Sequence, residues 1–174
     1  IANWLGVACE QKGLRLDSHQ HAHMIPVVWE AVLEVVREEG FPLSYIRNSK
    51  EVLGVFLAQR SLWKTYWLVN FVKNRLLSFY AHKVDRYYAS QGMEQMYLWG
   101  LVMSGRMDKA RIEILYPKML QKARQDGRTL EILFHPGLTL REEATPEIAK
   151  EAADDFYMRK DRHVEKAAVL QWKR

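Results

Sequence analysis

Three imidazoles fall within five residues in the run Leu16-Asp17-Ser18-His19-Gln20-His21-Ala22-His23-Met24-Ile25-Pro26, which holds half of the chain's six histidines. Imidazole and carboxylate ligate divalent metals and move protons near neutral pH, so this tract is the first candidate for chemistry. In extended backbone, residues two apart share a face, and His19, His21 and His23 would point the same way. Neighbours at that spacing can grip one ion, but His19 and His23 would lie roughly 13 Å apart along a straight strand. A bend after the strand would divide the three among metal, substrate and structure. A plain surface histidine run is the alternative reading.

A second candidate lies near the other end. Residues 129–134 form a compact apolar strand that delivers His135-Pro136-Gly137. The proline biases His135 towards extended geometry, and the carboxyl end of a parallel strand is where ligands bind in α/β folds. The plainer alternative is a histidine that closes a strand end. His82 sits among Tyr80, Ala81 and Lys83 with no partner motif and receives no role.

The elements that must position these residues alternate in type. Residues 1–12 have helical character and stop at Gly13. Residues 14–17 read as a short strand leading into the histidines. Pro26 suits the first turn of a helix, where its missing N–H costs nothing. Val27, Val28, Ala31, Val32, Val35 and Val36 give that helix an apolar stripe, and Gly40 ends it. Residues 43–46 follow as a strand ending at Arg47. This β-α-β order predicts an α/β fold, a parallel sheet covered by helices.

Residues 65–83 are rich in aromatics and cations, including Tyr66, Trp67, Phe71, Lys73, Arg75 and Phe79. They read as one or two inserted helices that pack into the core while their cations snorkel. The competing reading is a basic amphipathic helix on a membrane surface or partner. Residues 96–101 suggest a strand leading to Ser104-Gly105-Arg106-Met107. Residues 108–125 form a helix carrying Ile112, Leu115, Met119 and Leu120 on one side, with Pro117 expected to kink or divide it.

A chain of 174 residues, 48% hydrophobic, supports one sizeable core and a single domain over 1–174. The net charge of +5 is interleaved with acids, so no nucleic-acid arm is expected, and the basic stretch around Arg159 to Lys166 reads as a solvated helix face. No apolar run reaches the length of a membrane span. The opening residues lack Met and a basic leader and read as the middle of a longer protein, or as a processed or proteolysed fragment. The lone Cys9 permits no internal disulfide and suits a reducing, cytoplasmic setting.

Asp17 to Pro26, together with Tyr45-Ile46-Arg47, Ser104-Gly105-Arg106-Met107, Glu131-Ile132-Leu133-Phe134-His135-Pro136-Gly137 and the terminal residues Asp155-Phe156-Tyr157, Arg162, Glu165 and Leu170, resembles the YdjC/ChbG family of carbohydrate deacetylases. The motifs occur in the family's order and span nearly the whole chain. The resemblance implies a distorted β/α (TIM-like) barrel, here incomplete, with parallel strands, a helical insertion at about 60–92 and the N-terminal strands missing. It also implies removal of the N-acetyl group from acetylated amino sugars such as chito-oligosaccharides. A divalent ion, Mg2+ or Zn2+, would be held by an aspartate and two histidines while an acid/base pair handles the protons.

Carried over residue by residue, the resemblance implies His19 first and His23 second as the metal ligand of the tract. His21 would support the site or touch substrate. Asp17 would bind the metal or stand behind it and orient an imidazole. His135 becomes the candidate general acid for the leaving amine, and Arg47 faces the pocket to stabilise an anion or orient a carboxylate.

One departure bears on activity. The family's Ala-Asp-Asp-Phe-Gly motif, which supplies a metal-binding aspartate and a base, does not precede Asp17, nor does its Gly-Leu-His-Leu-type segment. Ala153-Asp154-Asp155-Phe156 imitates the first motif but follows a polar run and has Tyr157 where the family has glycine. A full β/α barrel needs about 250 residues. Two readings follow: part of a metal-dependent deacetylase completed by a missing portion, or a catalytically defective module that binds sugar, metal or protein. A barrel lacking its opening strands would leave strand edges and apolar surface unpaired, so such a fragment would have to dimerise, swap elements or rearrange, and a homodimer is expected.

Overall fold

The computed structural model describes residues 13–136 and 160–172. The helix expected over residues 1–12 and the segment around Asp154 lie outside them. The order is β1 (Leu14–Leu16), a 3-10 segment (His19–Met24), α1 (Pro26–Glu38), β2 (Leu43–Ile46), α2 (Leu53–Ala58), a second 3-10 segment (Arg60–Thr65), α3 (Leu68–Ser90), β3 (Met96–Trp99), α4 (Lys109–Gln125), β4 (Thr129–Ile132) and α5 (Lys160–Gln171).

The strands form two parallel pairs, β1 with β2 and β3 with β4. Each pair is joined through helix, as parallel strands require. A single backbone hydrogen bond, Leu98 N–H to the Lys50 carbonyl at 2.9 Å, links the chain after β2 to β3. The expected parallel α/β arrangement is therefore present, in short strands, and the described residues close no barrel.

Local chemistry explains the element ends. Pro26 opens α1, and Gly40, at φ +67°, follows its close. The Asp108 carboxylate caps α4 by accepting from Arg111 N–H at 2.8 Å. Lys122 and Arg124 face the negative end of the same helix dipole. α4 runs unbroken through Pro117, so the proline does not divide it. Beyond β3, Gly100 sits at φ +142°, and a Cβ there would stand 2.2 Å from the Leu133 carbonyl oxygen. Only glycine lets the ends of β3 and β4 come this close.

Two apolar clusters support the strands. Met24, Trp29, Ile46, Ala81, Val84 and Tyr88 pack beneath β1 and β2. Phe56, Trp99, Met103, Ile112, Leu115 and Met119 pack around β3 and α4. The Tyr88 hydroxyl donates to the Ile46 carbonyl at 2.7 Å and accepts from Ile46 N–H at 2.8 Å, satisfying β2 where no strand does.

Two helix faces leave apolar residues uncovered. The valine stripe of α1 lines an open apolar groove of about 540 Å³ with Leu14 and Phe41, while Trp29 on the same helix is the residue that reaches the core. α3 turns Asn74, Ala81, Val84, Asp85 and Tyr88 inward and leaves Leu68, Val72, Leu76 and Phe79 exposed. The inserted helix packs Ala81, Val84 and Tyr88 into the core, with Phe71, Leu77 and Tyr80 half-buried against it, and the polar Asn74 and Asp85 share that inner side. Asp85 accepts from Asn48, Lys50 and both terminal nitrogens of Arg128. Burial alone would raise the Asp85 pKa, but Arg128 and Lys50 outweigh it and hold it below the usual range.

Candidate functional site

The histidine tract does not continue as a strand. After β1 the chain turns into the 3-10 segment, and Gln20 and His21 adopt left-handed geometry, φ +52° and +60°. Consecutive non-glycine residues in that region are strained, and such strain persists where surrounding contacts fix it. The turn scatters the three imidazoles. His19 is exposed, His21 is half-buried, and His23 is 1% exposed.

His23 is engaged at both ring nitrogens. Nε2–H donates to the Arg47 carbonyl at 2.7 Å, and Nδ1 accepts from the Ser18 hydroxyl at 2.7 Å. The same Ser18 oxygen accepts from His23 N–H at 2.9 Å. Burial lowers the His23 pKa and keeps the ring neutral. With both nitrogens used, His23 holds the turn against β2 and offers no lone pair to an ion, so the expected ligand role does not fit this geometry.

His21 is placed differently. Its Nδ1 is hydrogen-bonded to the buried Ser49 hydroxyl at 2.7 Å. Burial, followed by the neighbouring His23 and Arg47, lowers its pKa to about 4, and the nearby His135 ring adds to the effect. The ring is neutral at physiological pH. When Nδ1–H donates to Ser49, Nε2 keeps its lone pair, the form in which imidazole binds metals.

Arg47 draws the two strand pairs together. Its guanidinium meets Asp17 at 2.6 Å and Glu131 on β4 at 2.9 Å, while Tyr45 OH donates to the other Glu131 oxygen at 2.5 Å. Burial and the bond to Glu131 push the Tyr45 phenol well above its ordinary pKa. Arg15, Asp17, Tyr45, Arg47 and Glu131 line a cleft of about 480 Å³ between the pairs. Arg47 therefore orients carboxylates. Asp17 holds Arg47 and accepts from Ser18 N–H at 2.8 Å, reaching the imidazoles only through its charge.

Two buried glutamates fix the loop after β3. Glu51 accepts N–H bonds from Gly100, Leu101 and Val102 and a fourth bond from Asn74. Burial pushes its carboxyl up to about 7 despite those donors. Glu165, on α5, is fully buried and accepts from the backbone N–H of Gly105 and His135. The Glu165 carboxylate also lies 3.6 Å from His135 Nδ1, which stands 3.4 Å from Ser104 Oγ. His135 is near enough to His21 to act on it through charge, and its loop is pinned from α5.

The profile of the YdjC-like protein family matches residues 11–172. The chain belongs to the YdjC-like family. No curated protein and no solved structure gives a significant match. YdjC-like proteins are generally linked to carbohydrate-deacetylase-like hydrolysis. Among the described residues no group of three or more His, Cys, Asp or Glu side chains is placed to hold an ion. No described helix is long and apolar enough to cross a membrane.

Within this YdjC-like chain, sequence reasoning did not find roles for Ser49, Glu51, Glu131 or Glu165. Glu131 carried a signal, an acid inside an apolar strand beside a site histidine. Glu165 stood among the terminal residues of the family resemblance but with no role, and Glu51 carried no signal, because an isolated acid reads as a surface residue.

Proposed function

We propose that this chain is the part of a metal-dependent carbohydrate N-deacetylase that contributes one imidazole and the acid side of the site. The observation that carries the reading is His21, held by Ser49 in a strained turn and kept neutral by burial. His21 fits a divalent ion better than His19, which is exposed, or His23, which is saturated. The donor set among the described residues is incomplete, and further ligands are read as coming from outside them. When bound, Mg2+ or Zn2+ would polarise an amide carbonyl and its attacking water.

The chain's own residues supply the rest. His135, secured by Glu165 and Ser104, is positioned as the acid that protonates the leaving amine. Arg47, tied to Asp17 and Glu131, fixes the floor of the cleft that receives the acetylated sugar or chito-oligosaccharide. The architecture is read as an open portion of a β/α barrel, two parallel pairs whose carboxyl ends carry Asp17, Arg47 and His135. The setting is read as cytoplasmic.

The incomplete donor set favours a second reading, a sugar- or metal-binding module without turnover. Acetate release from an N-acetylated chito-oligosaccharide separates the two. The gene's full product, supplied with Mg2+ or Zn2+, is expected to release acetate, and the 174-residue chain is not. No release from the full product would overturn the deacetylase reading.

A further inference from the structure

Acids and bases interleave over most of the chain, but residues 52–84 contain no Asp or Glu. The same run holds Arg60, Lys64, Lys73, Arg75 and Lys83. These five account for the whole excess of 26 Lys and Arg over 21 Asp and Glu. Among the described residues, Lys83 pairs with Glu30 at 3.6 Å, while Arg60, Lys64, Lys73 and Arg75 pair with no acid. The one acid of α3, Asp85, is turned inward onto Lys50 and Arg128.

The outer side of α3 joins this charge to apolar surface. Leu68, Val72, Leu76 and Phe79 follow at spacings of four, four and three, one continuous stripe along the helix. They are 80%, 62%, 53% and 70% exposed. Arg75 stands inside the stripe, three residues after Val72 and four before Phe79, and Val69 and Lys73 flank it. All three are exposed. Trp67, at the start of the helix, is partly exposed as well.

That mixture selects among partners. A nucleic acid would take the cations and leave the apolar stripe in water. A protein laid along the stripe would bury the Arg75 guanidinium among Val72, Leu76 and Phe79, which is costly without a counter-charge placed there. A phospholipid surface needs no shaped groove. The apolar side chains enter the boundary between headgroups and acyl chains, roughly 5–10 Å deep, while Arg75 and Lys73 bend back to the phosphates. An indole such as that of Trp67 suits the same depth. An acid-free cationic surface is drawn to anionic lipids in particular. A helix lying in that plane does not have to span, and no described helix is long and apolar enough to cross a membrane.

We infer that the outer face of α3 is a docking surface for an anionic phospholipid membrane, with Leu68, Val72, Leu76 and Phe79 inserted and Arg75 and Lys73 on the headgroups. The inner face stays tied to the core through Ala81, Val84 and Tyr88, so attachment needs no unfolding. The inference stands apart from the deacetylase reading and does not depend on catalysis.

The test is co-sedimentation of the 174-residue chain with phosphatidylcholine vesicles, pure or containing about one-third phosphatidylglycerol. The mixed vesicles are expected to bind at least about 10-fold more tightly than the pure ones, and added salt should weaken the binding. Leu68→Glu and Phe79→Glu should each lower the affinity at least about 10-fold, and Arg75→Gln about 5-fold. Circular dichroism and thermal melt should not change, because all three side chains are exposed. No binding to mixed vesicles, equal binding to both kinds, or binding indifferent to Leu68→Glu and Phe79→Glu would each overturn the inference. A chain that ignores vesicles but self-associates in a manner lost in Phe79→Glu would assign the face to a protein partner, and would overturn it too.

Discussion

Ser49 Oγ lies 2.7 Å from Nδ1 of His21, and Ser49 itself is fully buried. That contact decides which face of the His21 ring is free. Ser49→Ala removes it and lets the ring change tautomer and rotate. In the intact protein the substitution is expected to weaken Zn2+ or Mg2+ binding about 10-fold or more, whereas His19→Ala should change it little. Titration calorimetry gives both numbers, and an unaltered affinity in Ser49→Ala would remove His21 from the proposed ligand set.

Stability against pH should show two opposed contributions. Unfolded His21 protonates near 6.5 and the folded group only near 4. Its contribution is therefore complete above 6.5 and lost as pH falls towards 4. Glu51 runs the other way, keeping its proton up to about 7 when folded and losing it near 4.5 when unfolded. Its contribution is complete below 4.5 and lost as pH rises to 7. Each amounts to roughly 3 kcal/mol at most, so they offset between 4.5 and 6.5. The wild-type urea midpoint is expected to be nearly flat there. Glu51→Gln should lose stability steeply on acidification, and His21→Asn should gain it. Parallel profiles for the two variants would contradict the assignment.

Glu165 joins α5 to the site loops. Glu165→Ala leaves the Gly105 and His135 amides without their acceptor and is expected to cost about 2–4 kcal/mol. Hydrogen exchange should report the loss locally, with protection falling at Gly105 and His135 before it falls in α4. Uniform loss across the chain would mean that α5 supports the fold as a whole and not this corner of it.

Gln20 tests the strain in the histidine turn. It is exposed, at φ +52°. Gln20→Gly is expected to raise stability by about 0.5–1 kcal/mol, and the β-branched Gln20→Ile to lower it by about 1 kcal/mol or more. Chemical denaturation resolves both shifts. Equal stability in the two variants would show that the turn carries no conformational strain.

The parts legible beforehand are those in which periodicity and end signals agree. β1, α1 and β2 follow directly from Pro26, Gly40 and the apolar spacing between them. α4 was visible as well, and of the kink or division expected at Pro117 the division does not occur. That α3 packs into the core was legible, but not that the polar Asn74 and Asp85 share its buried side with Ala81, Val84 and Tyr88. Hydropathy could not anticipate the Asp85 network, which depends on Lys50 and Arg128 from distant elements. The histidine tract was visible from its composition. Which ring would be free was not, since no glycine marks the left-handed turn at Gln20 and His21.

The Glu131 carboxylate meets Arg47 from 84 residues away, and Glu165 reaches Gly105 across 60. Each strand pair, by contrast, joins residues about 30 apart, Leu14 with Leu43 and Met96 with Thr129. Closing a longer loop costs more chain entropy before any contact repays it. The two pairs can therefore form as the chain leaves the ribosome, but the clasp around His135 waits for α5. Order of synthesis becomes order of assembly, and the corner that would carry the chemistry is the last to be set.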